Sequence, residues 1–238
     1  MRIKKSRARS NNGAILRLSN ISKHYTNKIL VSKINISLRV GDILGIYGPN
    51  GAGKTSLLHI CMGLLEPDEG DVSVFSSSYK NNRQNILQKI NFASSSTRLS
   101  GYASVKENLE TFAALYQIPK PDKKIRFLTQ LLNISSLLDS NSKVYKLSTG
   151  ENAKVNMCKS LLNDPEILFL DEITAHLDQR SIQKIFSYLK HENLRRNLTI
   201  LFVSHNVDHL HEICNKLIYM KQGKITNITM HKNRASII

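Results

Sequence analysis

The sequence predicts an α/β fold, in which buried strands alternate with helices, with a small antiparallel β-layer at the N-terminus. Three observations support this prediction. A glycine-rich turn at residues 48–55 joins an apolar run to a helical run. Two further apolar runs, at 167–170 and 198–203, have the length of buried strands and are followed by polar residues. Residues 32–40 alternate polar and apolar, which is typical of a half-buried strand.

The glycine-rich turn reads GPNGAGKT and fits the phosphate-binding pattern G-x-x-x-x-G-K-[ST]. The runs around it, 42–47 and 56–62, predict the strand and the helix that this motif requires. Glycines allow backbone N–H groups to approach phosphate oxygens, and the helix N-terminus adds further unpaired N–H groups. Lys54 is expected to reach the terminal phosphates of a nucleoside triphosphate, and Thr55 to help hold Mg²⁺. The predicted nucleotide-binding residues of this loop are Gly48, Pro49, Asn50, Gly51, Ala52, Gly53, Lys54, Thr55 and Ser56.

The composition bounds the class of protein. With 238 residues and 41% hydrophobic residues, the chain can bury a core and form one large domain or two small ones. The formal net charge of +16 favours anionic partners. However, the sequence contains no Trp and shows no cluster of stacking aromatic residues, so direct nucleic-acid binding is not expected.

The sequence shows neither a membrane-spanning run nor a secretion signal. No apolar run approaches the roughly 18–20 residues that a membrane-spanning helix needs. The basic N-terminus is not followed by the apolar core of a signal peptide. Three scattered cysteines, Cys61, Cys158 and Cys214, do not suggest a disulfide framework. We therefore expect a soluble, cytoplasmic chain.

Short strands are predicted on both sides of the loop, and those before it predict the β-layer. Residues 1–13 are basic and polar and are expected to form a flexible arm. Residues 14–19 and 32–40 alternate as strands do, and 71–75 predict another short strand. Tyr25 could stack on a purine, although a single tyrosine more often packs in an ordinary way.

A helical insertion is predicted over about 101–144, with helices at 104–116 and 124–132. Its basic face is interpreted as a solvated surface. The stretch LSTGE at 147–151 then opens another helix. Ser148 and Glu151 fit a capping box, whereas Ser148 and the Gly150 backbone could also bind a phosphate at the helix N-terminus. The two interpretations are compatible.

Carboxylates follow the strand predicted at 167–170. Asp171 could hold magnesium through a water, and Glu172 could accept a proton from an attacking water. His205 follows the strand at 198–203 and could contact the γ-phosphate or that water.

Four potential metal ligands crowd into residues 205–214, namely His205, His209, His211 and Cys214. A helix would place them in two pairs that do not share one face, so a metal site is not favoured. His205 is instead expected at a strand end, with the others on the surface of a helix.

Taken in order, these motifs resemble the ATP-binding subunit of an ABC transporter over nearly the whole chain. The corresponding segments are 48–55 for Walker A, 147–151 for the signature, 167–172 for Walker B, 175–178 for the D-loop, His205 for the switch histidine and Tyr25 for the adenine-stacking aromatic.

The resemblance implies a P-loop NTPase (RecA-like) core within an ATPase domain at 14–230. A helical subdomain at about 101–160 would carry the signature, and a tail would follow at 231–238. It also implies an ATPase in which Lys54, Glu172 and His205 are catalytic. ATP would be sandwiched in a head-to-tail dimer, most simply a homodimer, with Ser148 and Gly150 acting on the partner's ATP. A separate membrane permease would hold the dimer on the inner face of the cell membrane.

Several positions depart from the family pattern. Ser95 stands where the family usually has a glutamine that contacts magnesium and the attacking water, so the implied magnesium ligands are Thr55, Asp171 and Ser95. Serine is too short to make both contacts directly, although a bridging water could substitute. Thr149 and Glu151 differ from the LSGGQ signature, and Ile173 replaces a common proline.

The STG form of the signature and the helix at 107–116 most resemble the ABC-2 exporter branch, and the haem-exporting cytochrome-maturation ATPase is a related possibility. Two alternatives remain. One is a soluble ABC-type ATPase acting on nucleic acid or ribosomes, which the positive charge would suit. The other is a weakly hydrolysing regulatory subunit, which Ser95 would permit.

Overall fold

The computed structural model describes residues 13–26, 28–97 and 99–230. The predicted tail and all but the last residue of the predicted arm lie outside the described residues. The strands within them are β1 Leu16–Tyr25, β2 Lys28–Leu38, β3 Ile43–Tyr47, β4 Glu69–Val74, β5 Ile90–Ser94, β6 Ile167–Asp171, β7 Thr199–Val203, β8 Lys216–Lys221 and β9 Lys224–Met230. The α-helices are α1 Lys54–Cys61, α2 Tyr79–Lys89, α3 Val105–Leu115, α4 Asp122–Leu131, α5 Ser136–Asp139, α6 Thr149–Leu161, α7 Gln179–Arg196 and α8 Val207–Ile213.

The predicted N-terminal antiparallel layer is a three-stranded sheet with the order β2-β1-β4, and its third strand, β4, follows α1 in the sequence. In β2 the buried residues Val31, Ile34, Ile36 and Leu38 face the core. Strand β1 continues to Tyr25 instead of ending at 19. It continues because Asn20 adopts a left-handed conformation, with a φ of 52°, that shifts the register without ending the pairing.

The second sheet has the order β5-β6-β7-β3-β8-β9, and only β9 is antiparallel to its neighbour. The three strands predicted from apolar runs are adjacent in its centre as β6, β7 and β3. Every residue of β6 and β7 is buried. Because these strands are parallel, their carboxyl ends meet at one edge of the sheet.

The helical segment after β5 contains α3 and α4 at the predicted positions. Helix α6 begins at the predicted capping box, in which the Glu151 N–H donates to Ser148 Oγ at 3.2 Å. Helix α3 begins with the same device, formed by Ser104 and Glu107. No helix among the described residues is long and apolar enough to cross a membrane.

The sequence-based prediction lacked α2, α7 and the β8–β9 hairpin. Helix α7 nevertheless has a readable signal, because its buried apolar residues, Ile182, Ile185, Phe186 and Leu189, recur at helical spacing. Strand β9 is mostly exposed and follows no alternating pattern, so nothing local distinguishes it from a loop.

Helix α7 is fixed to the sheet by a buried carboxylate. The Glu192 side chain is 4% exposed and accepts hydrogen bonds from Arg195 and Arg196, the latter at 2.7 Å. Arg196 also donates to the carbonyl oxygen of Pro165 at 2.6 Å, just before β6. The bonds from Arg195, followed by those from Arg196, lower the pKa of Glu192 to about 2.

We expect Glu192→Gln to lower the free energy of unfolding by about 1–3 kcal/mol at neutral pH, because charge-assisted hydrogen bonds to a buried group are lost. Since the folded-state pKa lies below the ordinary 4.5, this stabilisation is present above pH 4.5 and is lost as the pH falls toward 2. Urea unfolding at several pH values measures it.

The control variant is Glu110→Gln. It removes an exposed partner 3.6 Å from Lys106 and should cost less than about 0.5 kcal/mol. A gap between wild type and Glu192→Gln that stays constant down to pH 3 (about one unit above the folded-state pKa) would contradict the role of the ionised carboxylate.

Candidate active site

The phosphate-loop motif occupies the turn between β3 and α1, and backbone closely surrounds two of its glycines. Gly48 and Gly53 have φ values of 148° and 96°. A Cβ atom on Gly48 would lie 2.0 Å from the carbonyl oxygen of Met220, and one on Gly53 would lie 2.0 Å from that of Leu30. Both positions therefore require glycine, and the loop keeps its tight turn because β2 and β8 press against it.

Lys54 is buried inside this loop. The residue is 6% exposed, and its ammonium donates to the carbonyl oxygens of Gly48 and Pro49 at 2.8 and 3.0 Å. Burial lowers the pKa of Lys54, while the carboxylates of Glu172 and Asp171 partly oppose this shift. The Lys54 ammonium thus lies within the loop that the sequence predicts to bind phosphate.

Two carboxylates face the loop from the end of β6. Thr55 Oγ1 donates to Asp171 Oδ2 at 3.2 Å, which joins α1 to β6. The second oxygen of Asp171, Oδ1, and one oxygen of Glu172, Oε1, are buried without a hydrogen-bond partner in the described part of the chain. Burial raises the pKa of both carboxyl groups. A hydroxyl beside unpartnered carboxylate oxygens is the donor set that suits Mg²⁺.

Glu172 is held by the end of the neighbouring strand. Its φ of 52° lies in the left-handed region, which is uncommon for a residue other than glycine. Its N–H donates to Val203 O at 3.0 Å, and its Oε2 accepts from the His205 N–H at 3.2 Å. The His205 Nε2 atom is 3.3 Å from Glu172 Oε1. A carboxylate with a raised pKa beside an imidazole can accept a proton.

Ser95 reaches the same edge from β5. Ser94 pairs with Asp171 in the sheet, and the Ser95 N–H donates to Asp171 O at 3.3 Å. The hydroxyls of Ser94 and Ser96 lie 2.8 Å apart, so the turn after β5 is closed by serine contacts. The structure therefore brings Lys54, Thr55, Asp171, Glu172, His205 and the backbone of Ser95 together.

The signature segment lies at a different place. Ser148 is exposed, and its hydroxyl and N–H both donate to Glu151 Oε2, at 2.8 and 2.9 Å. A Cβ on Gly150 would lie 2.9 Å from the carbonyl oxygen of His176, so helix α6 starts against the segment 175–178. Tyr25, at the end of β1, is 73% exposed. No hydrogen bond in the described chain joins Tyr25, Ser148 or Gly150 to the phosphate loop.

The second half of the histidine-rich stretch is not uniformly on a helix surface, which corrects the prediction. His209 Nδ1 is 3.1 Å from Thr174 Oγ1, and its ring packs against Phe186. Cys214 follows α8 and is fully buried, which raises the pKa of its thiol. No cluster of His, Cys, Asp and Glu suited to a metal ion occurs in the residues that the structure describes.

Alanine substitutions at two loop glycines distinguish the cost of a steric clash from the cost of backbone strain. We expect Gly53→Ala to cost about 3 kcal/mol or more, because the left-handed strain adds to a clash with Leu30. Gly51→Ala, with a φ of 75° and no atom nearer to its Cβ than the Lys28 ammonium at 4.0 Å, should cost about 1 kcal/mol. Urea unfolding compares the two variants, and equal costs would exclude the clash as the cause.

The protein-family model described as "ABC transporter" matches residues 31–175, more than half of the chain. One relative is the Nod factor export ATP-binding protein I of Burkholderia orbicola (strain AU 1054), which is 29% identical over 206 residues. That match covers 86% of this chain and 67% of the relative. Another is the methionine import ATP-binding protein MetN of Francisella tularensis subsp. holarctica (strain OSU18), 30% identical over 224 residues, with 90% of this chain and 63% of the relative covered.

Solved structures agree with this assignment at the level of the fold. An ATP-binding subunit of an ABC transporter superposes with a TM-score of 0.85 at 19% identity, covering 91% of this chain and 90% of the other. The ATP-binding cassette MJ0796, a dimer in a post-hydrolysis state with ADP and Pi, superposes with a TM-score of 0.81 at 22% identity, covering 90% and 98%. From the family match, the chain belongs to the ABC transporter family, as one of its ATP-binding, ATP-hydrolysing domains.

Proposed function

We propose that this ATP-binding subunit is the motor of an ABC-2 type exporter, acting as a head-to-tail dimer with a separate membrane permease. One observation carries the proposal: the phosphate loop, Asp171, Glu172 and His205 converge at one edge of the sheet. The export direction is supported by the form of the signature and by relatives named for Nod factor export. The relative named for methionine import supports a role in transport but not the export direction.

In this proposal the loop from Gly48 to Ser56 binds the phosphates of ATP, and Tyr25 stacks on the adenine. Lys54 exchanges its two loop carbonyls for phosphate oxygens, which suits a cation already held at the centre of the loop. The hydroxyl of Thr55 and Asp171 Oδ1, which has no hydrogen-bond partner in the described chain, would hold Mg²⁺, with Ser95 beside them. Bound Mg²⁺ would neutralise charge that develops on the phosphates.

Glu172 accepts the proton of the attacking water. Its burial raises the pKa, which makes the carboxylate a stronger base, and the His205 N–H fixes the direction of the group. Asp171 is assigned to the metal instead, because its Oδ2 accepts from Thr55 of the phosphate loop.

The second nucleotide half-site comes from the partner subunit in this proposal. Ser148 and Gly150 would bind the partner's ATP, for which the exposed position of Ser148 is suitable. The ATPase domain would span 14–230, with a helical subdomain at about 101–160. The permease would hold the dimer at the inner face of the cell membrane. ATP binding would favour the closed dimer and hydrolysis the open one.

Glu172→Gln should reduce steady-state ATP hydrolysis by about 10²-fold or more, because the general base is lost while the side-chain shape is kept. It should also accumulate an ATP-bound dimer that gel filtration detects. Glu166→Gln is the matched control, since Glu166 precedes the same strand but pairs with Lys89 at the surface. Wild-type turnover by Glu172→Gln would exclude Glu172 as the base.

Ser95→Gln should raise the hydrolysis rate several-fold, because the longer amide can reach the metal and the attacking water from the end of β5. Ser100→Gln, at an exposed position beyond the same turn, should leave the rate unchanged. The measurement is steady-state phosphate release at saturating ATP. If wild type shows no hydrolysis and Ser95→Gln restores it, the chain is a weakly hydrolysing regulatory subunit.

A further inference from the structure

An open groove of about 520 Å³ runs along the outer side of α7, beside α4. Its lining spans residues 180–191 of α7, about three turns, and includes Leu131 of α4. Helix α7 packs on the opposite face of the second sheet from α1, which follows the phosphate loop. None of the described residues that line the groove belongs to the proposed ATP site. The groove is therefore a separate feature of the surface.

The wall that α4 contributes is apolar. Leu131 is half-buried in it, and Phe127, one turn earlier, is 51% exposed beside it. The ring of Phe127 lies 6.0 Å from the ring of Tyr188 on α7, measured between centres. Two helices with apolar side chains along the groove between them form a surface on which a third helix can pack.

The side that α7 contributes is positively charged. Arg180 is exposed and forms no hydrogen bond or ion pair within the part of the chain that the structure describes. Lys184, one turn later, donates to the amide oxygen of Asn133 at 2.9 Å, which is a neutral partner. The hydroxyl of Tyr188 makes no hydrogen bond to a described residue, so it can donate to a carboxylate.

Acidic residues of this chain do not compensate these two cations. No Asp or Glu occurs among the described residues that line the groove. Glu212, which accepts from Gln183 at 3.0 Å, is paired with Lys190. Glu192, whose carboxylate lies 3.3 Å from His191, is buried and bound by two arginines of α7. The charge of the groove is thus available to a partner.

Charge and chemistry together decide which partner fits. Because the chain has a net charge of +16, a second copy of it, or its own basic residues 1–13, would bring further positive charge to the groove. A nucleic acid would match the charge, but it offers few aliphatic groups to Leu131, and the Phe127 ring already packs on Tyr188. An acidic, amphipathic segment of another protein satisfies both the charge and the apolar wall.

We propose that this groove docks an acidic amphipathic helix of another protein. Its apolar side chains pack against Leu131 and Phe127, and its carboxylates bind Arg180 and Lys184. Since these two cations are one turn apart on α7, they match carboxylates that are one turn apart on the docked helix. This binding requires no nucleotide, and it gives the chain a partner that is recognised away from the ATP site.

The test uses the full chain and two synthetic helical peptides, each about five turns long. Both carry the same Leu and Ala positions, and the polar face is Glu in one and Gln in the other. Fluorescence anisotropy measures the binding of each peptide to wild type, to the double variant Arg180→Gln/Lys184→Gln and to the control Lys80→Gln/Lys106→Gln. The control removes two exposed lysines that have carboxylate partners, so it matches the change in net charge.

We expect the Glu peptide to bind wild type and the control at least about tenfold more tightly than the Gln peptide. This preference should vanish in Arg180→Gln/Lys184→Gln. A carbodiimide, which joins a carboxylate to an amine in contact, should link the Glu peptide to Lys184 in wild type, and mass spectrometry locates that link. The crosslink requires no variant, so this readout does not depend on how the double variant folds.

Three results would overturn the proposal. The first is equal binding of the two peptides to wild type, or no binding of either at about 1 mM. The second is an equal loss of preference in the control, which would assign the binding to overall charge. The third is a single-stranded RNA oligonucleotide that binds wild type more tightly than the Glu peptide and loses its affinity in Arg180→Gln/Lys184→Gln. That result would make the groove a nucleic-acid site.

Discussion

The parallel pairing of β3, β6 and β7 is the constraint on which the rest of the structure depends. Each strand contributes a functional end: β3 leads into the phosphate loop, β6 ends at Asp171, and β7 ends next to His205. Because parallel strands bring their carboxyl ends to one edge, residues far apart in sequence become neighbours without any specific attraction between them. The full burial of β6 and β7 fixes this register, since a shift by one residue would reverse which side chains face each layer.

Charges at this edge and on helix α6 are only partly compensated within the described chain. Lys54 is bonded to carbonyl oxygens, and Asp171 keeps a buried oxygen that has no hydrogen-bond partner among the described residues. Among the described residues, Lys159 contacts an aromatic ring and no carboxylate. Buried polar groups are normally satisfied, so such exceptions mark positions where a ligand or a partner completes the network.

Local pattern predicted much of the fold, and long-range contact accounts for what it missed. The phosphate loop, both carboxylates and the capping box of Ser148 were readable because each depends on residues within a few positions of it. The close approach of the Met220 carbonyl to Gly48 was not readable, because β8, which carries Met220, can be placed only once the sheet is known. The same holds for the approach of Gly150 to His176. For α7 the helical spacing of Ile182 and Phe186 would have sufficed.

The contact between Gly150 and His176 has a mechanical consequence. The segment 175–178 begins three residues after Glu172, and its last residue, Asp178, both caps α7 and pairs with Lys154 of α6. The N-terminal ends of α6 and α7 therefore both contact one short segment, which begins three residues after Glu172. Any rearrangement of this segment would therefore change contacts of both helices.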